Sequence, residues 1–200
     1  MVPALLATGR CVFGIDYGGG GRASVRQSAA DVTAFIEQVL AQTGAEQVDV
    51  IGFSQGGLVV RTALRLNGLA PDVGTAVLIA PSFHGSTSPL LTALPAGICP
   101  ACADQAAGSA LLTELAAGGD LDGDVRYAVA SSANDTVVTP VSAQVPQGPA
   151  DRVSSILVQD SCPDEVVDHV SLRANPGVVA WTVDALQTGG SPDPATLTCG

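Results

Sequence analysis

Two rhythms of apolar residues run through the chain. Short, dense apolar runs at 48–51, 75–80, 125–130 and 153–158 are rich in Val, Ile, Leu and Ala, and read as buried strands. An earlier run, Cys11-Val12-Phe13-Gly14-Ile15-Asp16, predicts a fifth short buried strand. Between the strands the apolar positions are spaced helically. Val32, Phe35, Ile36, Val39 and Leu40 share one face, Ser24-Val25-Arg26-Gln27 has capping-box spacing ahead of them, and Gly44 ends the run. Residues 2–7 read as the end of a helix closed by Gly9. A further helix runs from Gln55 to Asn67-Gly68, and another spans 105–117. Asn175-Pro176 opens a last helix, with Val178, Val179, Thr182 and Leu186 on its buried face. Gly18 to Gly21 is read as a flexible loop and 82–100 as loop-rich. Strands alternating with helices predict an α/β architecture, a mostly parallel sheet with helices on both faces. Two hundred residues without a linker or repeat read as one domain, 1–200, with 190–200 as a C-terminal tail.

The strand at 48–51 leads into Gly52-Phe53-Ser54-Gln55-Gly56-Gly57 and then the apolar face of a helix. Gly-x-Ser-x-Gly is a weak string in a chain with 23 glycines. Its setting between strand and helix makes it a nucleophile elbow, with the serine oxygen exposed at the end of the sheet. Ser54 is therefore the candidate nucleophile, and the backbone N–H of Gln55 a candidate oxyanion donor. A serine nucleophile needs a base and an orienting acid. Of the two histidines, His169 follows the last strand and fits the chain order serine, acid, histidine, whereas His84 comes too early. His84 is read as a pocket-shaping or backbone-binding residue. Asp135, in the turn after the 125–130 strand, is favoured as the acid on the same chain order. Asp160 and Asp168 remain rivals, and a plain turn aspartate is the bland alternative.

Composition narrows the function classes. With 19 acidic and 8 basic residues the net charge is −11, which argues against a nucleic-acid backbone as partner. No apolar run is long enough to span a bilayer. The Gly18–Gly21 stretch lacks the Lys and Ser/Thr of a phosphate-binding loop. Cys99-Pro100-Ala101-Cys102 has no further zinc ligands at finger spacing and lies mid-chain, unlike a redox motif. Two structural disulfides, Cys99–Cys102 and Cys162–Cys199, are favoured, with Cys11 buried in a strand. Sequence alone does not prove the pairing. Such bonds imply an oxidising compartment. Residues 1–8 are too short and lack the basic start of a signal peptide.

Taken together, these stretches resemble the class 2 lipase family, secreted bacterial lipases and esterases with the α/β-hydrolase fold. The resemblance runs nearly the whole length. It rests on the 11–18 stretch, the elbow with Gln55-Gly56-Gly57, Ala80-Pro81-Ser82-Phe83-His84-Gly85-Ser86, and Cys99-Pro100-Ala101-Cys102. Asp135 with Val138 and Pro140, and Asp160-Ser161-Cys162-Pro163 leading to His169, complete it. It implies a triad on Ser54, Asp135 and His169 and supports the two disulfides. It also implies ester hydrolysis, with acylglycerols or other lipid esters as substrate, transient contact with a lipid surface, no cofactor and no metal, and a secreted protein. Phe53 stands where family members often carry histidine; Phe53, Phe83 and His84 are read as pocket residues, and 83–94 as acyl-site lining. Family members begin with a strand ending in a His-Gly loop that supplies a second oxyanion donor, and this chain starts inside the helix that follows it. An N-terminally truncated fold, whose missing part carries the signal peptide, is the resulting expectation. The alternatives are an acyltransferase using the same triad and a catalytically inactive fragment. Oligomeric state is not legible.

Overall fold

The computed structural model describes residues Met1–Gly200. Its centre is a four-stranded sheet of β1 (Val48–Phe53), β2 (Val73–Ile79), β3 (Arg126–Ser131) and β4 (Val153–Leu157). The strands lie in sequence order, and every neighbouring pair is parallel. Among the helices are α1 (Val2–Leu6), α2 (Val25–Thr43), α3 (Gln55–Leu66), α4 (Pro100–Asp104), α5 (Ala110–Ala116), α6 (His169–Leu172) and α7 (Pro176–Gln187).

The two central strands have apolar faces on both sides, as parallel strands must when helices cover both surfaces. In β2, Ala76 and Leu78 face one core while Val77 and Ile79 face the other; in β3, Tyr127 and Val129 oppose Ala128 and Ala130. The first core is closed by α2, α3 and α5 through residues such as Ile36, Leu58 and Leu115. The second is closed by α1, α6 and α7 through Leu5, Leu172 and Trp181. Fully burying side chains of this size contributes about 1.5–3 kcal/mol each.

Local signals explain the helix ends. Ser24 Oγ accepts from Gln27 N at the start of α2, and Gly44 closes it in the left-handed conformation. Asn67 caps α3 and Asn175 opens α7, its side chain accepting from Val178 N. The expected 105–117 helix is shorter, running only over α5, because Ser109 caps it at its start. The residues before it form the separate α4.

Two expectations are corrected. Residues 11–16 form no strand, and Cys11 is exposed rather than buried. A strand exists only through a ladder partner. Here the segment is separated from β1 by an apolar groove of about 730 Å³, whose walls include Val12, Phe13, Ile36, Val50 and Ile51. β1 is thus an edge strand. The Gly18–Gly21 stretch is not an open loop either. All four glycines have φ between 58° and 74°, giving one left-handed turn closed by Gly21 N donating to Tyr17 O at 2.9 Å. Asp31 pins it by accepting from Gly18 N at 2.9 Å.

Both disulfides are formed, Cys99–Cys102 at the start of α4 and Cys162–Cys199, which ties the C-terminal tail to the segment after β4. No helix is long and apolar enough to cross a membrane.

Candidate active site

The carboxyl ends of β1, β3 and β4 carry the three residues singled out above. Ser54 stands between β1 and α3 with φ 54° and ψ −118°, a conformation that non-glycine residues rarely adopt. Hydrogen bonds hold it there. Its N–H continues the ladder to Ile79 O at 2.9 Å, and its carbonyl accepts from Gly57 N at 3.0 Å and Ser82 N at 3.1 Å. Strand and helix meet this closely only because residue 52 has no Cβ: one placed there would stand 2.8 Å from the Gly56 carbonyl.

Ser54 Oγ and His169 Nε2 are 2.8 Å apart, and His169 Nδ1 and Asp135 Oδ2 also 2.8 Å. His169 begins α6, and Asp168 sets its position by capping that helix. The Asp168 carboxylate accepts from Ser171 N at 2.7 Å while its own N–H donates to Ser171 Oγ at 3.0 Å. Asp168 therefore faces the helix terminus and not the imidazole. Asp135 has 4% of its surface exposed. Burial alone raises its pKa. The hydrogen bond from His169, the N–H groups of Val138 and Val137, and attraction to the imidazole outweigh it, holding the carboxyl below the ordinary aspartate value. The group is an ionised acceptor at neutral pH, aimed at a ring nitrogen.

Two glutamines that sequence reasoning missed complete this shell. Gln144 is fully buried and donates to Asp135 Oδ2 at 2.9 Å and to Val138 O at 3.0 Å. Gln159 ties the Asp135 turn to the segment before His169. Its Nε2 donates to Asn134 Oδ1 and Glu165 O, each at 3.0 Å, and its Oε1 accepts from Ala133 N at 2.8 Å. Neither lies in a pattern that marks it beforehand; both act through contacts between distant loops.

A cavity of about 400 Å³ opens beside Ser54 and is lined by Phe53, Gln55, Tyr17 and Gly21 among others. Gln55, first residue of α3, has a backbone N–H with no acceptor in the chain, and its side chain donates to Gly21 O at 3.0 Å. The Phe53 ring centroid lies 5.1 Å from that of the imidazole and 5.3 Å from the guanidinium carbon of Arg173, which sits over the ring. Phe83 and His84 do not line this cavity, which corrects their reading as pocket residues, while His84 takes the backbone-binding alternative. Phe83 is wholly buried in the first core, beneath the Arg61 guanidinium and edge-on to Tyr127. His84 lies between Ala143 O at 3.0 Å and Asp120 Oδ2 at 2.8 Å, in the network that also holds buried Arg61. The nearest approach to a metal-ligand cluster, Cys162, Glu165 and Cys199, is closed by the disulfide between its cysteines.

Comparison with known proteins agrees with this layout. A family profile described as the alpha/beta hydrolase fold matches residues 1–97. Lipase B of Aspergillus fumigatus superposes with a TM-score of 0.79 at 25% identity, covering 92% of this chain and 46% of that one. A pyrethroid hydrolase from Sphingobium faniae JZ-2 gives a TM-score of 0.53 at 15% identity, covering 97% and 91% of the two chains. A putative hydrolase from Agrobacterium vitis S4 gives 0.51 at 19% identity, with 92% and 75% covered. The fold is that of the α/β hydrolases. No curated protein sequence matches the chain. The chain spans about half the length of the Aspergillus lipase.

Proposed function

We propose that this chain hydrolyses carboxylic esters, with acylglycerols and related lipid esters as the substrate class. The observation that carries the reading is the unbroken hydrogen-bonded line from Ser54 Oγ through His169 to Asp135, 2.8 Å at each step. In this reading His169 Nε2 takes the Ser54 proton as Oγ attacks the acyl carbon. Asp135 keeps the proton on Nδ1 and stabilises the imidazolium. The carbonyl oxygen gains negative charge in the cavity and meets the free N–H of Gln55 at the positive end of the twelve-residue α3. The imidazolium returns its proton to the leaving alcohol. Water, activated by the same imidazole, then releases the acid. The chemistry requires no cofactor.

Lipid esters are favoured over small polar ones by the resemblance to class 2 lipases and by the likeness to a fungal lipase. Val166 and Val170, which flank His169 in the chain, are exposed apolar residues suited to a lipid surface. Two disulfides favour a secreted protein in an oxidising compartment.

The test is turnover of a p-nitrophenyl ester series from acetate to palmitate by the wild type and Ser54→Ala. Hydrolysis that rises with acyl length and vanishes in the variant supports the reading. A chain inert on every ester, or activity that survives Ser54→Ala, overturns it.

A further inference from the structure

Of the two histidines, His84 takes no part in the triad. Both of its ring nitrogens nevertheless face oxygen acceptors. Nδ1 lies 3.0 Å from Ala143 O, which also accepts the His84 backbone N–H at 2.9 Å. Nε2 lies 2.8 Å from Asp120 Oδ2. A carbonyl has no proton to give. Nor has the Asp120 carboxylate, whose Oδ1 accepts from Arg61 Nη2 at 2.9 Å and whose Oδ2 accepts from Gln147 N at 2.7 Å. A neutral imidazole carries one N–H and can serve only one of the two contacts, whereas the imidazolium serves both. The charged and titratable groups around the ring are Asp120 and, on α3, Arg61, with Arg65, Asp122 and the Tyr127 phenol behind them. The 139–147 segment brings none.

We infer that His84 is a positioning residue for the triad acid, acting through Gln144, and that it acts fully only when both ring nitrogens carry a proton. This rests on the ester-hydrolase reading. The path is short. Ala143, held by His84, is joined by one peptide bond to Gln144 in the turn Val141–Gln144. Gln144 Nε2 donates to Asp135 Oδ2, the same oxygen that faces His169 Nδ1. Gln144 Oε1 has no partner, so the side chain is aimed only by its Nε2 bonds and by its own backbone. His84 grips that backbone at two points, Ala143 directly and Gln147 through Asp120. When the ring is neutral, one nitrogen turns a lone pair toward an oxygen and that grip is lost. The segment carrying Gln144 then loosens, and Asp135 is held less firmly in line. The ring can exchange its proton with water, since 29% of the side chain is exposed, and histidine changes charge between about pH 5 and 8.

The experiment measures p-nitrophenyl butyrate hydrolysis and the rate of Ser54 labelling by a fluorophosphonate from about pH 5.5 to 8.5, the range in which a histidine titrates. The proteins are wild type, His84→Phe, His84→Gln, Gln144→Leu and the double variant His84→Phe with Gln144→Leu. Phenylalanine keeps the ring and glutamine keeps a polar group; neither titrates, and His84→Gln carries the comparison if His84→Phe does not fold. Loss of one hydrogen bond from the support of Asp135 should lower kcat by about fivefold at the acid end, with KM little changed. His169 titrates in every protein, so it cancels in the ratio of wild-type to variant kcat. That ratio should fall toward one as the pH rises and His84 loses its second proton. In the Gln144→Leu background His84→Phe should cost almost nothing more, as expected of two residues acting on one path. A ratio of one throughout, a ratio that does not change with pH, or a full additional cost in the double variant overturns the inference and leaves the hydrolase reading standing. A wild type that neither hydrolyses nor labels overturns the function, and this inference with it.

Discussion

Gly52→Ala tests the elbow by its geometry. The added Cβ would lie 2.8 Å from both the carbonyl carbon and the carbonyl oxygen of Gly56, and 2.9 Å from Gly57 N. All three are backbone atoms, so no side chain can swing aside. To restore an ordinary contact of 3.4 Å, β1 and the first turn of α3 must move apart. Overpacking of this kind costs about 1–3 kcal/mol, and a backbone obstacle places the variant at the upper end. For a chain of this size that lowers the melting midpoint by roughly 5–10 °C. The same movement carries Ser54 Oγ away from His169 Nε2. A misplacement on the order of 1 Å costs about 10²-fold in rate, so activity falls further than stability alone explains. Gly56→Ala is the control. Beyond its chain neighbours and its own helix turn, its Cβ would meet the Tyr17 hydroxyl alone, at 3.6 Å, an ordinary contact. Alanine is also the better helix former by up to about 1 kcal/mol, so this variant should melt at or above the wild type. The assays are thermal unfolding by circular dichroism and ester turnover on the same samples. A Gly52→Ala protein that melts with the wild type, or a Gly56→Ala protein that falls as far, refutes the argument.

Other perturbations separate the remaining parts. Asp135→Asn should retain the fold but lower kcat by about 10⁴-fold, because the amide no longer enforces the imidazole tautomer; near-wild-type turnover would point to another acid. Asp135 also makes stability depend on pH. Its folded pKa is held down, so its contribution is full above the ordinary aspartate value of about 3.9 and is lost as pH falls through the lower folded value. Thermal melts below about pH 4 should therefore converge for wild type and Asp135→Asn. The two disulfides should contribute unequally. Cys162–Cys199 spans a sequence separation of 37 and Cys99–Cys102 one of 3. Chain-entropy arguments give about 4 kcal/mol for the long loop and about 2 kcal/mol for the short one, so paired serine replacements should show the larger melting loss at 162 and 199.

Much of this arrangement was legible because its signals are local. The elbow is written in Gly52 and Gly56 around Ser54, with an apolar strand before and an amphipathic helix after. Ser24, Gly44, Asn67 and Asn175 mark helix ends by the hydrogen bonds and backbone angles that they themselves provide. Chain order then singled out Asp135 and His169, which the fold sets in line with Ser54. Asp168 had a local signal that went unused: an aspartate three residues before Ser171 is N-cap spacing, and capping is what occupies its carboxylate. What stayed hidden depends on contacts between distant segments. Cys11 to Asp16 has the composition of a strand, but no strand lies within ladder distance of it. Phe83 and His84 follow a strand end that points to the site, yet Arg61, remote in sequence, covers Phe83 in the core, and Asp120 holds the half-buried His84 beside it. Gln144 and Gln159 bridge loops whose approach no periodicity announces.

The central claim is that Ser54 is a nucleophile activated by His169. Intact-mass and peptide-mapping mass spectrometry after treatment with a fluorophosphonate tests it most directly, on the wild type, Ser54→Ala and His169→Ala. The account predicts one adduct per wild-type chain, mapped to Ser54, none in Ser54→Ala, and strongly slowed labelling in His169→Ala. A wild type that takes up no label, or an adduct that persists in Ser54→Ala, would contradict it.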